Sequence, residues 1–312
     1  MVARHTGRLG LGSDGVCRSG SEKGTIANVL ERLAFAERIE DLSVTGPGVA
    51  AKWTEAITDI AQLDVYGGLR IKPQLGLVPL RRDPRSGLWE FWHVQSGAPP
   101  ALNPNQDADN PWIITGNTGL VFVLIPSGTF WMGAQREDPG GQNYDVQAEP
   151  DESPVHKVTL DAFFMSKYEM TQGQWERFTG ENPSAYPPGF VAPGAVHTAS
   201  HPVEQVSGDD CERVTRQLGL DLPTEEQWEY AARAGTDSVW WCGNEVESIA
   251  GKGNVRDRSA HQVGSSWPYE ELLNDGYVAH APVGSYAANS FGLHDVIGNV
   301  LELCRKVRLD QL

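Results

Sequence analysis

Apolar residues recur at helical spacing in two early stretches of the chain. Ile26, Val29, Leu30, Leu33, Phe35 and Ala36 lie between Thr25 and Glu40, and Val49, Trp53, Ile57 and Ile60 between Pro47 and Ala61; each set predicts an amphipathic helix. Leu69 to Leu80 and Leu88 to Val94 are shorter apolar runs broken or flanked by Pro73, Pro79, Pro84 and Gly87, which predicts short strands. Ser96 to Pro111 reads as a Pro- and Asn-rich linker. Gly119 to Pro126 is an unbroken run of Leu, Val, Ile and Phe, the pattern of a buried strand, with Gly128 to Gly133 as its hairpin return and Pro154 to Leu160 as a further strand.

Three later helices are marked by their first residues. Thr171 is an N-cap candidate ahead of Trp175 and Phe178, which share one helical face. Asp209 and Asp210 favour the positive end of a helix beginning near Ser207, with Cys211, Val214 and Leu218 as its apolar stripe and Gly219 as its end. Thr224, with Gln227 at the capping-box position, opens a third helix that turns Trp228, Ala231 and Ala232 inward.

The length of 312 residues and 40% hydrophobic content suit one large domain with an accessory segment. Residues 1–24 hold six glycines and little apolar content, so a disordered lead is expected, followed by a helical and short-strand linker region over 25–115 and a main domain over 116–312. Gly10, Gly12 and Gly15 match a nucleotide-loop spacing, but no strand precedes them. A net charge of −16 argues against nucleic acid as a partner. No apolar stretch is long enough to span a bilayer and no signal-peptide core is visible, so a cytoplasmic protein without membrane contact is expected. Cys17, Cys211, Cys242 and Cys304 are scattered and read as reduced thiols, with Cys211 a small core residue. The six carboxylates between Glu137 and Glu152 read as a solvated loop. His197 and His201 have the four-residue spacing of a helical metal pair, yet Pro193, Gly194 and Pro202 break any helix there, so a loop without a site is expected.

Two longer motifs carry a resemblance. Leu222-Pro-Thr-Glu-Glu-Gln-Trp-Glu-Tyr-Ala-Ala-Arg233 and Gly292-Leu-His-Asp-Val-Ile-Gly-Asn-Val300 occur together with Gly128 to Gly133, the Glu-x-Thr run at Glu169, Pro202-Val203, Val206-Ser207 and Pro282-Val-Gly-Ser285. From about Gly119 to Cys304 the chain resembles the formylglycine-generating enzyme family, also called sulfatase-modifying factors. The resemblance implies an α+β, irregular, C-type-lectin-like fold with little regular secondary structure. Family members use a thiolate-bound copper ion and dioxygen to oxidise the cysteine of a Cys-x-Pro-x-Arg segment in an unfolded sulfatase to formylglycine. It also implies two structural calcium sites. One takes the side chains of Asn254 and Asp275 with the carbonyls of Val255 and Tyr277; the other takes the side chains of Asp295 and Glu302 with the carbonyls of Gly298 and Val300. His294 precedes Asp295 and reads either as its supporting partner or as surface packing.

The chain also departs from the family. The oxidising cysteines of the family lie downstream of the Gly-Asn-Val motif, and no thiol pair here matches them, so a C-terminally truncated, inactive domain without catalytic residues is expected. Gly208, Leu301 and Leu303 stand where the family favours tryptophan, a loss worth roughly 3 to 5 kcal/mol at a buried site that cannot collapse. Pro73 to Pro79 and Ser86 to Phe91 resemble the segment that joins a protein kinase to such a domain in bacterial multidomain proteins, although no kinase motif is present. The alternatives are a non-catalytic module for a peptide or other ligand, formerly attached to a serine/threonine kinase, and a fragment that does not fold.

Overall fold

The computed structural model of the chain describes residues 2–3, 26–105, 110–193, 195–262 and 268–305. The glycine motif at Gly10 and most of the expected disordered lead lie outside them. The strands are β1 (Val2–Ala3), β2 (Leu77–Arg82), β3 (Trp89–His93), β4 (Ala101–Leu102), β5 (Trp112–Ile113), β6 (Val121–Ile125), β7 (Gly128–Met132), β8 (His156–Leu160), β9 (Phe163–Ser166), β10 (Val191–Ala192), β11 (Ala195–Val196) and β12 (Leu220–Asp221). The helices are α1 (Ile26–Glu40), α2 (Val49–Gln62), α3 (Gln172–Thr179), α4 (Gly208–Gln217), α5 (Glu225–Arg233) and α6 (Arg258–Gln262). From Val239 onward turns and short bridges dominate, so the architecture is α+β and irregular where the family motifs are densest.

An antiparallel six-stranded sheet in the order β12-β1-β9-β6-β3-β2 organises the molecule. Every side chain of β6 is buried, as its uninterrupted apolar sequence requires of a central strand. Phe122 and Leu124 of β6, Phe91 of β3 and Phe164 of β9 share one core with Trp53 and Ile60 of α2, Trp175 of α3, Val214 of α4 and Tyr230 of α5. Residues 25–115, read from the sequence as a linker region, thus supply two strands and a helix to the core of the main domain. Tyr66 fastens this region to the sheet: its hydroxyl donates to the Leu124 carbonyl at 3.0 Å and accepts the Trp89 amide at 2.9 Å.

One predicted pairing is corrected. β7 is not the return of β6; it pairs with β8 in a separate ribbon, Gly128 opposite Leu160 and Met132 opposite His156. The burial of β7 alternates between half-buried and exposed positions, so it suits a ribbon open to solvent on one face, whereas β6 needs a strand on each side. The helix starts agree with the sequence. Thr171 and Thr224 each cap through the amide of the third helical residue and close a capping box, and Ser207 accepts the Asp210 amide. The acidic loop is also as expected, with Glu137, Asp138, Glu149, Asp151 and Glu152 exposed.

The core contains a buried cation. Lys167, 1% exposed, places its ammonium 2.9 Å from Glu90 Oε1 and 3.6 Å from Asp83 Oδ2, and donates to the Gly292 carbonyl at 2.7 Å. Glu90 is itself fully buried and accepts the Trp112 indole N–H at 2.8 Å. Removing one partner of such a group leaves the others charged and dry, at a cost of about 3–5 kcal/mol. Lys167→Met is therefore expected to lower unfolding stability by about that amount, and Lys167→Met/Glu90→Gln by less, as read from urea midpoints at constant m-value.

His93 lies against this core, 2% exposed, with its pKa lowered to about 4 by burial against a weaker opposing hydrogen bond to the Leu218 backbone. The unfolded chain binds this proton below about pH 6.5 and the folded chain only near pH 4, so stability present above pH 6.5 is lost as pH falls through that window. From pH 7 to 4.5 the loss from this residue amounts to about 2 kcal/mol. A His93→Gln variant is expected to show an acid slope shallower by that amount in urea titrations at the two pH values.

Candidate functional site

The Gly292 to Val300 motif has no regular secondary structure, and its shape comes from left-handed backbone at four positions: Gly292 (φ 77°), Asp295 (φ 61°), Gly298 (φ 74°) and Asn299 (φ 63°). Asp and Asn are the non-glycine residues that adopt this region most readily. At Gly298 a side chain is excluded twice over, because a Cβ there would also collide with the Asn254 carbonyl oxygen. That close approach forms a parallel bridge between Asn254 and Gly298 and lets the Asn299 amide donate to the Asn254 carbonyl at 2.9 Å.

The first expected cation group is gathered by the fold. The Asn254 side-chain nitrogen donates to the Ala279 carbonyl at 2.8 Å and to Asn299 Oδ1 at 3.2 Å, which leaves its amide oxygen as an acceptor. Asp275 accepts the Val255 amide at 3.1 Å and the Tyr277 amide at 2.8 Å, so the four residues share one pair of turns. A further carboxylate stands beside them: Asp257, fully buried, accepts the Asp275 amide with one oxygen and the Ser259 amide at 2.7 Å with the other. Burial, with added repulsion from Asp257, pushes Asp275 up to about pH 6.

The second group is built around buried carboxylates. Asp295 is 2% exposed; its Oδ2 accepts the Gly284 amide at 2.6 Å, while Oδ1 has no hydrogen-bond partner among the described residues. Burial raises its pKa to about 7, and the Glu302 charge adds to the shift. Glu302 is an exposed residue whose carboxylate accepts the Trp228 indole N–H at 3.1 Å, and desolvation raises its pKa. Glu169 joins them. It accepts Asn299 Nδ2 at 2.6 Å and the Val300 amide at 3.2 Å, and burial followed by repulsion from Asp295 and Glu302 holds its pKa well above the carboxylate range. The sequence placed Glu169 in a family motif but gave it no role; its position between Tyr168 and Met170, at the end of an apolar strand, was the available signal.

Glu169 and Glu302 border a cavity of about 110 Å³ lined by Met165, Trp175, Val214 and Leu293. Cys211 reaches the same cavity from α4, half-buried, with burial raising its thiol to about 11. Leu301 and Leu303 are exposed at its rim, and a side chain at Gly208 would meet open space. A second, larger cavity of about 570 Å³ lies between Trp228, Trp240 and Trp241, with Asp151, Glu152 and Glu225 around it. Cys304 reaches this second cavity, and burial likewise raises its thiol to about 11. Cys242 packs with Trp240 and Trp241 beside Ile249.

Cu(I) needs thiolates side by side. The three described thiols sit in different surroundings, two of them held protonated, and do not fit a copper centre. His294 is not surface packing. It is 2% exposed, stacks on Tyr168 at 5.1 Å and places Nδ1 2.7 Å from the Tyr286 carbonyl, because its neighbours Leu293 and Asp295 are also inside. His197 and His201 lie in a loop, as the prolines require, but that loop brings them together with His280.

A family model described as "Sulfatase-modifying factor enzyme 1-like domain" matches residues 116–309. The formylglycine-generating enzyme of Thermomonospora curvata is 29% identical over 246 residues, covering 64% of this chain and 76% of that protein. The inactive C-alpha-formylglycine-generating enzyme 2 of Bos taurus is 25% identical over 236 residues, 61% of this chain and 72% of that protein. Serine/threonine-protein kinase pkn1 of Chlamydia pneumoniae is 28% identical over 204 residues, 59% of this chain but 27% of that kinase. With the matched stretch taking in more than half of the chain and both the Leu222–Arg233 and Gly292–Val300 motifs, the chain belongs to the sulfatase-modifying factor enzyme 1-like domain family.

Proposed function

We propose that this chain is a calcium-pinned, cytoplasmic member of the family that binds an extended, basic peptide and does not itself oxidise cysteine. Support for the peptide comes from the cavity between Trp228, Trp240 and Trp241. Its walls are aromatic, its rim carries exposed carboxylates, and Trp241 Nε1 is buried beside it without a hydrogen-bond acceptor among the described residues. Arg233, the basic residue of the wall, is neutralised by Glu229 at 2.7 Å. The Cys-x-Pro-x-Arg segment that relatives of this kind act on suits such a cavity through its arginine. A family that includes both formylglycine-generating enzymes and an inactive relative leaves the chemistry to the residues of each chain. Here the described thiols supply no copper site.

Support for calcium comes from the carboxylates crowded around Asp295 and from the Asp275–Asp257 pair. Calcium takes six to eight oxygens and tolerates irregular geometry. Asn254 and Asp275 with the carbonyls of Val255 and Tyr277 would hold one ion, and Asp295 and Glu302 with the carbonyls of Gly298 and Val300 the other. The partnerless Oδ1 of Asp295 and the crowding of Asp295, Glu302 and Glu169 are what a cation would relieve. When bound, the ion supplies positive charge that pins loops too polar to be held by apolar burial.

A thermal unfolding curve read by tryptophan fluorescence tests the calcium sites. Calcium at a hundred times its dissociation constant should add about 2.7 kcal/mol, and Asp275→Asn and Asp295→Asn should each remove part of the upward shift. A cooperative transition that calcium leaves in place would remove the calcium assignment, and no cooperative transition would mean that the chain does not fold alone.

The peptide reading is tested by titrating the tryptophan emission with a Cys-x-Pro-x-Arg peptide and its Arg→Ala counterpart, then incubating the first with Cu(I) and air. Saturable quenching that weakens at least tenfold without the arginine, with peptide mass unchanged, is expected. Formylglycine in the mass spectrum would overturn the inactive reading.

A further inference from the structure

His197, His201 and His280 form a compact group outside the sites described above. One ring nitrogen from each lies within 4.8 Å of the others. The rings pack at centroid distances of 4.4 Å for His197–His201, 4.8 Å for His197–His280 and 5.5 Å for His201–His280. All three residues are buried, at 2%, 0% and 6% exposure. Tyr186 and Phe190, themselves exposed, cover the group by ring contacts of 5.5 to 5.6 Å.

Aromatic packing alone leaves this arrangement unexplained. Among the described residues, both ring nitrogens of His197, both of His280 and Nε2 of His201 are buried without a hydrogen-bond partner. Each orphaned polar group of this kind costs about 1–3 kcal/mol, so five in one place demand something to satisfy them.

Two neighbours complete the picture. His201 Nδ1 accepts the Thr198 amide at 3.0 Å and lies 3.2 Å from both the hydroxyl and the carbonyl of the same residue, so the Thr198 turn fixes the ring with Nε2 facing the group. Glu204 Oε1 lies 3.8 Å from His280 Nε2 and is oriented by accepting the Tyr186 amide at 2.9 Å.

We propose that His197, His201 and His280 bind one divalent transition-metal ion of the zinc class, with the Glu204 carboxylate as fourth ligand. Three imidazoles and a carboxylate match zinc's preference for four nitrogen, sulfur or oxygen ligands and are too few and too nitrogen-rich for calcium. Nitrogens on one tetrahedral zinc stand about 3.3 Å apart, so the widest pair here closes by about 1.5 Å on binding, within reach of ring rotation. The ion would staple the loop carrying His197, His201 and Glu204 to the segment carrying His280. Ala279 and Ala281, on either side of His280, already bond to Asn254 and Asn299.

The test uses the full chain, stripped of metal with a chelator and returned to excess calcium so that oxygen-rich sites are filled. Calorimetric titration with zinc alone should give one equivalent bound, and His201→Gln and His280→Gln should each weaken that binding at least a hundredfold. X-ray absorption at the zinc edge of the loaded, unsubstituted chain should show an imidazole-rich first shell without sulfur, a reading that holds even if the variants do not fold. Absence of a bound equivalent, equal affinity in folded variants, or a sulfur ligand would overturn the site.

Discussion

The charge of Lys167 is the constraint on which the rest of the fold hangs. An ammonium group kept from water must be surrounded by acceptors, and the chain brings three of them from two separate places: Asp83 and Glu90 from the early hairpin, and the Gly292 carbonyl from the start of the C-terminal motif loop. The network therefore fixes how the early segment meets the central sheet. It also fixes where the loop carrying His294 and Asp295 begins, since the His294 amide donates to the Lys167 carbonyl at 3.0 Å. Burial and the same ammonium keep the His294 imidazole neutral, with its pKa lowered to about 3.

From that loop outward, one amide side chain connects the two carboxylate groups. Asn299 gives its nitrogen to Glu169 and to the Ala281 carbonyl, takes the Ala281 amide and the Asn254 side chain on its oxygen, and gives its own amide to the Asn254 carbonyl. A change at either group is felt by the other through a single rigid residue. The segment holding His280 is bonded to the same asparagine, so loops distant in sequence share one polar frame where apolar burial is sparse.

The sequence made helices and caps legible because both depend on residues a few positions apart. Thr171 with Gln174 and Thr224 with Gln227 are examples, as are the apolar faces of α2 and α4. It also showed that Val121–Ile125 is a buried strand, but not which strands flank it, since pairing is decided by residues far along the chain. β7 was misplaced for that reason. The residues that the resemblance implies as calcium ligands entered through motifs, and among them Val255 and Tyr277 bond to Asp275. Glu169, Asp257 and His280 were not legible, because a lone carboxylate or imidazole acquires meaning only from neighbours that folding supplies. The His197–His201 spacing was discounted correctly as a helix, yet a loop can converge ligands without any periodic spacing.

The position of β6 between β3 and β9 has a consequence for where this domain can be cut. The family match opens at residue 116, after β3, yet Val121–Ile125 bonds through Val121, Phe122 and Val123 to that strand. Severed there, five consecutive apolar residues without a charge or proline would present an unpaired edge, the composition that recruits further strands into cross-β aggregates. The early segment thus serves as a covalently attached edge guard, and the unit with a fully paired β6 is larger than the unit that family similarity delineates.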